Sequence, residues 1–364
     1  MSFKYAVTSD IHLGHRKTPT THIANSFRTC ILTQQNSDLD VLFIAGDLFD
    51  RLLDANSKEV LTSIELINHI LNYCFHHGIK LRVLEGTPSH DWNQSQLVTK
   101  LNEMRGERQV DLKYFQVLDI EYMVEENKYI LYIPDEWTHN HATIEKQIAE
   151  KLQSHGIAKV DLAILHGQCE YQVAGIPYQG FRYNETYFLN IVKGFIHIGH
   201  YHTYSEFDRI RANGSLERLG HGQEEDKGYV RVDGDNCVFH VNKNAFIYKT
   251  HRVTAKTTLV KLDDLIYRYP KEAYIRLQLP KDHPFNINFN EIKLRYMDYN
   301  VDRLVKEEKE VTSVKDISLD VELIGYNLHA IDTDVKQLLR DSILPKNNFS
   351  PAELRYFESI IEVF

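Results

Sequence analysis

Five short apolar runs in this chain each end on a turn that carries His or Asp. The runs read YAVTSDIHLGH, LDVLFIAGDLFD, IKLRVLEGTPSHD, DLAILHG and GFIHIGHYH. A short apolar run that stops at a polar turn is typical of a buried strand. If the five strands lie in one sheet, their turns meet at one rim. That rim carries these candidate side chains: Asp10, His12, Asp47, His90, His166, His200 and His202.

The segments between these runs follow a helical period. Over residues 56–77 apolar positions recur every three or four residues, and Gly78 follows as a stop signal. Shorter helices are predicted over residues 96–104 and 143–155. Strands that alternate with helices predict βαβ units, in which helices cover the sheets.

The pattern changes again after the fifth run. Residues 205–248 are predicted to form hairpins, with turns at Asn213–Gly214 and at residues 232–235. Beyond residue 250, the segments AYIRLQL (273–279) and IKLRYM (292–297) are predicted to be strands of a separate small α/β unit.

We therefore predict three parts: a main α/β domain over residues 1–250, a smaller α/β domain over 251–345 and a terminal helix over 346–364. The helix has Ser350 at its N-cap and Pro351 at its first position. Its apolar face either packs on its own domain or docks a partner helix. That face carries Leu354, Phe357, Ile361 and Phe364.

Composition places the chain among ordinary folded proteins. Hydrophobic residues make up 43% and charged residues 26% of the 364 positions. The apolar runs fall short of the ~20 residues of a membrane span, and the first strand begins almost at the N-terminus. The four cysteines are scattered and fit a reducing compartment. We expect a cytoplasmic protein without a leader segment, or one in the host cytoplasm if a bacteriophage encodes it.

The candidate rim mixes imidazoles and carboxylates. This mixture suits a divalent transition metal better than it suits structural zinc, which favours thiolates. One aspartate shared between two ions, with His on either side, is typical of two-metal phosphoester hydrolysis.

The order of the five turns resembles that of the calcineurin-like metallophosphoesterases. That family has D-x-H, G-D-x-x-D, G-N-H-D, a lone His and G-H-x-H in sequence. This chain has Asp10–His12, Gly46–Asp50, Ser89–Asp91, His166 and Gly199–His202 at the corresponding places. The resemblance implies a two-sheet sandwich flanked by helices, followed by a smaller C-terminal α/β capping domain.

The resemblance also implies a set of metal ligands and catalytic residues. One ion would be held by Asp10, His12, Asp47 and His202, and a second by Asp47, His166, His200 and Ser89. Two such ions would clamp the phosphodiester and activate a water molecule. His90, oriented by Asp91, would stabilise the transition state or protonate the leaving oxygen. The ligand mixture favours Mn²⁺, with Mg²⁺ and Fe²⁺ as alternatives.

The third turn departs from the family pattern. Where the family has G-N-H-D, this chain has Gly86–Thr87–Pro88–Ser89–His90–Asp91, which is two residues longer. Ser89 then takes the place of the family's Asn, and a hydroxyl is a weaker ligand than an amide oxygen. The second ion is therefore expected to bind more weakly than the first.

One further stretch resembles a subfamily. Residues 213–218 (NGSLER) and 222–229 (GQEEDKGY) are similar to the G-S-x-E-R and K-G-Y segments of SbcD-type nucleases. That resemblance covers roughly residues 3–240. It implies a DNA nuclease subunit in repair or recombination, a homodimer formed by helices near the third turn, and an SbcC-like coiled-coil ATPase as partner. The longer third turn favours a divergent branch, such as a bacteriophage enzyme.

Two other functions stay open at this point. One is a small-molecule phosphodiesterase or phosphatase of the same fold, because these motifs are shared across substrates. The other is a catalytically weak scaffold subunit, which the altered third turn favours. The net charge of −9 argues against a broad basic surface for DNA, although bound ions or a partner would supply local positive charge.

Three further residues lie near the motifs. We interpret His15 as solvated and His197 as a satisfied histidine of the core or rim. Asp50 either orients a neighbouring ligand or is an exposed turn residue.

Overall fold

Two six-stranded sheets form the body of the chain. The structure, a computed structural model, describes residues 2–135, 140–173 and 181–306. Strands are numbered in chain order. The first sheet contains β1 (Lys4–Thr8), β2 (Val41–Ala45), β3 (Lys80–Leu84), β4 (Leu112–Phe115), β11 (Gly228–Asp233) and β12 (Asn236–Val241), in the spatial order β12-β11-β1-β2-β3-β4.

The second sheet has the spatial order β5-β6-β7-β8-β10-β9. Its strands are β5 (Asp119–Met123), β6 (Lys128–Ile133), β7 (Leu162–Gly167), β8 (Ile196–His200), β9 (Ser205–Phe207) and β10 (Ile210–Ala212). In each sheet four neighbouring strands are parallel, namely β1 to β4 in the first and β6, β7, β8 and β10 in the second. Antiparallel strands flank these four.

The two sheets pack face to face over a buried apolar layer. Val7 and Phe43 from the first sheet meet Tyr132 and Ile164 from the second in this layer. Burial on both faces explains why these strands read as continuous apolar runs instead of alternating ones. The α/β sandwich predicted from the sequence is therefore confirmed. The five motif-bearing strands do not share one sheet, however, because three lie in the first sheet and two in the second.

Helices cover the outer faces of the sandwich. The first sheet is covered by α1 (Thr20–Cys30), α2 (Lys58–His77) and α4 (Gln96–Glu103), and the short α3 (Pro88–Asp91) lies in the third motif. The second sheet is covered by α5 (His141–Ser154) and α6 (Glu185–Ile191). The predicted helices over 56–77, 96–104 and 143–155 agree with α2, α4 and α5 to within two residues. Among the described helices, none is long and apolar enough to cross a membrane.

A third, parallel sheet follows the sandwich. It consists of β13 (Tyr248–Arg252), β14 (Tyr274–Pro280) and β15 (Asn300–Lys306), with α7 (Leu259–Ile266), α8 (Pro284–Ile287) and α9 (Phe289–Arg295) between the strands. It has a buried core of its own. The predicted domain boundary at residue 250 falls inside β13. The remainder of the predicted 251–345 domain and the 346–364 helix lie outside the described residues.

Two local predictions are wrong. Residues 292–297 belong largely to α9 and its end, because Phe289, Ile292 and Tyr296 are buried at helical spacing in the same core as β14. Asn213–Gly214 does not close a hairpin. Gly214 has a φ of 69°, and a Cβ there would lie 2.8 Å from the backbone nitrogen of Tyr204. The residue type is therefore required by close backbone approach at the end of β10.

Candidate metal centre

The motif side chains gather at one edge of the sandwich, where the carboxyl ends of parallel strands from both sheets meet. Asp10 and His12 follow β1, and Asp47 follows β2. His166 lies in β7 and His200 ends β8 in the facing sheet. Two contacts join the sheets here: His166 Nδ1 donates to the carbonyl of Ala45 at 2.7 Å, and the N–H of His200 donates to Asp10 Oδ1 at 2.9 Å.

Two groups of Asp and His side chains could each hold a metal ion. Potential ligand atoms of Asp10, His12 and His202 lie within 4.8 Å of one another, and so do those of Asp47, His166 and His200. We name these the first group and the second group. Asp47 also faces the first group, with Oδ2 3.7 Å from His12 Nε2. The division places every residue except Ser89 as in the two ligand sets that the family resemblance implied.

The spacing and burial of these atoms fit a bound ion. Asp10 and His166 are fully buried, and His12 and Asp47 nearly so. His202 Nε2 lies 3.8 Å from Asp10 Oδ1, and His166 Nε2 lies 3.3 Å from Asp47 Oδ1. Ligand atoms that share an ion about 2.1 Å away stand roughly 3 Å or more apart. Buried carboxylates facing imidazole nitrogens across such gaps are the donor set of a divalent transition metal.

The electrostatics of the cluster agree with its burial. Burial raises the pKa of Asp10 and lowers those of His200 and His202. Burial also tends to raise the pKa of Asp47, but His166 and His12 hold that pKa well below its usual range. For His166 burial opposes protonation, yet the carboxylate of Asp47 raises its pKa to about 10. A cation in the second group would replace the proton that this pair holds.

Several ligand candidates have strained backbones. Asp10, His12 and Asp47 have φ values of 51°, 53° and 50°, and His200 has a φ of 96°. Non-glycine residues seldom adopt positive φ, and such conformations concentrate at functional sites. They are held here by bonds between the motifs, such as the N–H groups of Ile11 and His12, which both donate to the carbonyl of Asp47.

Gly86 permits the close approach of two of the turns. A Cβ at this position would lie 2.0 Å from the backbone nitrogen of Asp47 and 2.2 Å from its Oδ1. Any side chain at residue 86 would therefore displace the carboxylate that both groups share.

Thr87, not Ser89, lies beside the second group. The N–H of Thr87 donates to Asp47 Oδ1 at 2.6 Å, and its Oγ1 lies 3.2 Å from His200 Nδ1 and 3.4 Å from His166 Nε2. Ser89 is exposed on α3. Pro88 begins this one-turn helix at its first position, which turns Ser89 away from the cluster. Thr87 therefore lies where Ser89 was expected from the sequence.

This placement gives a matched pair of substitutions. Thr87→Val removes the hydroxyl while keeping the shape of the side chain, and it is expected to weaken Mn²⁺ binding at the second group by about tenfold. Ser89→Ala is expected to leave binding unchanged, because Ser89 faces solvent. Calorimetric titration of both variants checks this. A loss of affinity in Ser89→Ala alone would contradict the placement of Thr87.

His90 lies at the edge of the first group. Its ring packs edge-on against that of His12, with centroids 5.0 Å apart. Its Nδ1 lies 2.7 Å from the carbonyl of Asp50. Because a carbonyl only accepts, Nδ1 carries a hydrogen and Nε2 is the nitrogen left for a substrate.

Asp91 does not orient His90, contrary to the expectation from sequence. Its two carboxylate oxygens accept the N–H groups of Phe49 at 2.8 Å and Gly86 at 2.7 Å, so that it joins the second and third turns. Burial, reinforced by the carboxylates of Asp47 and Glu85, raises its pKa to about 8. His90 is oriented by the backbone of Asp50 instead.

Three further residues are placed by the structure. The carboxylate of Asp50 lies 3.2 Å from His12 Nδ1, which favours its role as the partner of a ligand. His197 is buried in the core between the Tyr5 hydroxyl and Asn213 Oδ1. His15 is half-buried, not solvated, and its Nδ1 accepts the N–H of Thr18 at 2.9 Å.

No protein-family model matches the sequence, and no curated protein matches it. One similar solved structure is that of TT1561 of Thermus thermophilus, with 8% identity and a TM-score of 0.38, covering 67% of this chain and 100% of that chain. A second solved structure has 9% identity and a TM-score of 0.41 with the same coverage. Similarity this low does not identify a family. The two-sheet sandwich itself is compatible with a metallophosphoesterase.

Proposed function

We propose that this protein is a metal-dependent DNA nuclease of the SbcD type, which hydrolyses phosphodiester bonds at DNA ends. The observation that carries the proposal is the pair of largely buried Asp/His groups at one edge of the sandwich, with Asp47 in the second group and 3.7 Å from His12 of the first. Two adjacent divalent ions in this arrangement are typical of enzymes that cleave phosphoesters. We propose DNA as the substrate because residues 213–229 are similar to the corresponding segments of SbcD-type nucleases.

In the proposed hydrolysis, some residues would bind the metal ions and His90 would act on the substrate. When bound, the ions, with Mn²⁺ favoured over Mg²⁺ and Fe²⁺, polarise the phosphate and lower the pKa of an attacking water molecule. Asp10, His12 and His202 would hold one ion and Asp47, His166 and His200 the other, with Asp47 facing both positions. With its ring protonated, His90 donates a hydrogen bond from Nε2 to a phosphate oxygen, or a proton to the leaving oxygen as its bond to phosphorus breaks. The hydrogen bond from Nδ1 to the carbonyl of Asp50 keeps that ring in place.

The experiment that tests the function compares three substrates. Purified protein with Mn²⁺ is incubated with end-labelled linear duplex DNA, with hairpin DNA and with a chromogenic phosphodiester. We expect both DNA substrates to be degraded and EDTA to stop the reaction. Turnover of the chromogenic compound without turnover of DNA would favour the small-molecule phosphodiesterase. No turnover of any substrate, with or without an SbcC-like ATPase, would favour a scaffold subunit.

We also propose that the protein forms a homodimer through α2 and α4. A cleft of about 290 Å³ lies between these helices, lined by Val60, Trp92 and Leu97 among others. Trp92 is 55% exposed, and Leu61, which follows the cleft residue Val60 on α2, is 65% exposed. Large apolar side chains left in contact with water beside an apolar cleft are typical of an interaction surface. A second copy of the same face would cover them.

The dimer proposal predicts the behaviour of a single substitution. Leu61→Glu places a charge within the proposed interface, so it is expected to produce a monomer in sedimentation analysis. Met297→Glu is the control, because Met297 is 77% exposed and follows α9 on the third sheet. Dissociation by both variants, or by neither, would contradict the assignment of the interface.

The proposed ATPase partner has no described contact surface. Its candidate contact, the apolar face of residues 354–364, lies outside the described residues. An SbcC-like coiled-coil ATPase therefore stays a proposal that rests on the resemblance alone.

A further inference from the structure

The segment after β10 folds back onto His202, a candidate ligand of the first group. Gln223 is buried, and its Nε2 lies 2.8 Å from His202 Nδ1. The other atom of the same amide, Oε1, accepts the N–H of Leu219 at 3.0 Å. A backbone N–H only donates, so the atom that faces Leu219 must be the oxygen. The nitrogen of Gln223 is thereby directed at the ring of His202.

This arrangement decides which ring nitrogen of His202 carries a hydrogen. The amide nitrogen of Gln223 only donates, so His202 Nδ1 accepts and the hydrogen of the neutral ring lies on Nε2. That atom is 3.1 Å from His12 Nε2, and His12 Nδ1 in turn lies 3.2 Å from the Asp50 carboxylate. Gln223 therefore places the hydrogen of the neutral His202 ring on the nitrogen that faces His12.

An ion in the first group requires the opposite arrangement at His202. If Nε2 is the ligand atom, its lone pair must face the ion and the ring hydrogen must lie on Nδ1. That hydrogen would point at the amide nitrogen of Gln223, which also carries only hydrogens. The amide must then turn until Oε1 accepts from His202, which disturbs the bond to Leu219.

The backbone of His202 is fixed independently of Gln223. Its carbonyl accepts the N–H of Ser215 at 3.0 Å and the ammonium group of Lys227 at 2.8 Å. Lys227 is itself buried and paired with Glu225. A substitution at residue 223 should therefore change the ring of His202 without moving the turn that bears it.

We propose that Gln223 is a positioning residue that limits how well His202 serves as a ligand, and that a carboxylate at this position would strengthen the first group. The inference rests on the proposed function, in that His202 is taken as a ligand. Glutamate has the shape of glutamine but two accepting oxygens. One would keep the bond to Leu219 and the other would accept the hydrogen on His202 Nδ1, so that no rotation is needed.

The test is the affinity of Mn²⁺ in calorimetric titration, which does not depend on cleavage. We expect Gln223→Glu to tighten binding at the first group by about tenfold, and Gln223→Leu to weaken it by about tenfold or more, because the ring then has no acceptor. Affinity at the second group should stay unchanged. Repeating each titration in a His166→Gln background, which disables the second group, identifies the group that changes.

Two controls separate a local effect from a general one. Gln34→Glu adds the same charge at an exposed amide that bonds Ser37, and it should leave both affinities unchanged. Circular dichroism verifies that Gln223→Leu folds, and the isosteric Gln223→Glu keeps the test valid if it does not.

Different outcomes would contradict the positioning role of Gln223 and the proposed metal-dependent function. Equal Mn²⁺ affinity in the unmodified protein, Gln223→Glu and Gln223→Leu would overturn the positioning role. Weaker binding in Gln223→Glu than in the unmodified protein would overturn the hydrogen-bond argument. An unmodified protein that binds no Mn²⁺ would overturn the proposed function itself.

Discussion

Replacing His90 by alanine is expected to slow DNA cleavage by about 10²–10⁴-fold while leaving Mn²⁺ binding nearly unchanged. The ring contacts His12 and is held through Nδ1 by the carbonyl of Asp50, but it belongs to neither the first nor the second group. A positioned acid of this kind contributes about 10²–10⁴-fold to the rate. Cleavage of end-labelled DNA should fall by that factor, and calorimetric titration should still show both ions.

A matched histidine provides the control for this prediction. His76 is exposed in the last turn of α2, and His76→Ala should keep full activity. If His90→Ala lost its metal ions together with its activity, His90 would have to be reassigned as a ligand. His90 can also join His12 and Asp50 in a third cluster of potential ligand atoms, so this outcome has a definite structural meaning.

Asp47→Asn is expected to weaken the binding of Mn²⁺ at both groups. The carboxylate faces His12 in the first group and His166 in the second, and it accepts the N–H of Thr87. Asparagine keeps the shape but removes the negative charge that both groups share. We expect Mn²⁺ affinity to fall by about 100-fold or more at each group, and DNA cleavage to be lost with it.

Asp50→Asn provides the comparison, because Asp50 orients a ligand of one group whereas Asp47 faces both groups. The carboxylate of Asp50 contacts His12 Nδ1 in the first group, so Asp50→Asn should weaken only that group, by about tenfold to 100-fold. Calorimetric titration of the two variants side by side tests this. Loss of one ion only in Asp47→Asn would show that the carboxylate does not bridge the groups.

Much of the candidate site could be predicted from the sequence because its residues follow strands. Asp10, Asp47 and His166 each lie at or just beyond the end of a buried strand, and parallel strands bring such ends to one edge. The family resemblance then supplied the division into two groups. The apolar runs alone did not reveal that the rim is built from two facing sheets, since such runs do not specify which strands pair.

The third turn shows where local reasoning failed. A count of residues placed Ser89 at the ligand position, although Pro88 offered a signal that a helix begins there and that Thr87 precedes it. The role of Asp91 could not be read locally, because its partners are the backbone N–H groups of Phe49 and Gly86. Gln223 was missed for the same reason, since it is 21 residues from His202 in the chain.

Short apolar segments also have ambiguous periods. Residues 292–297 alternate apolar and polar side chains as a strand does, but Phe289, Ile292 and Tyr296 form a helical stripe when the window is longer. The Asn213–Gly214 pair is a common hairpin signal, yet here glycine is needed because the backbone of Tyr204 lies so close. In both cases tertiary packing decided between two local patterns.

The most direct test of the two-metal centre is the number of Mn²⁺ ions bound per chain at saturation. Equilibrium dialysis followed by elemental analysis gives this number for the unmodified protein and for Asp47→Asn at the same Mn²⁺ concentration. We predict two ions per chain in the unmodified protein, and markedly fewer in the variant. One ion or none in the unmodified protein, or two equally tight ions retained in Asp47→Asn, would contradict a centre in which both groups share Asp47.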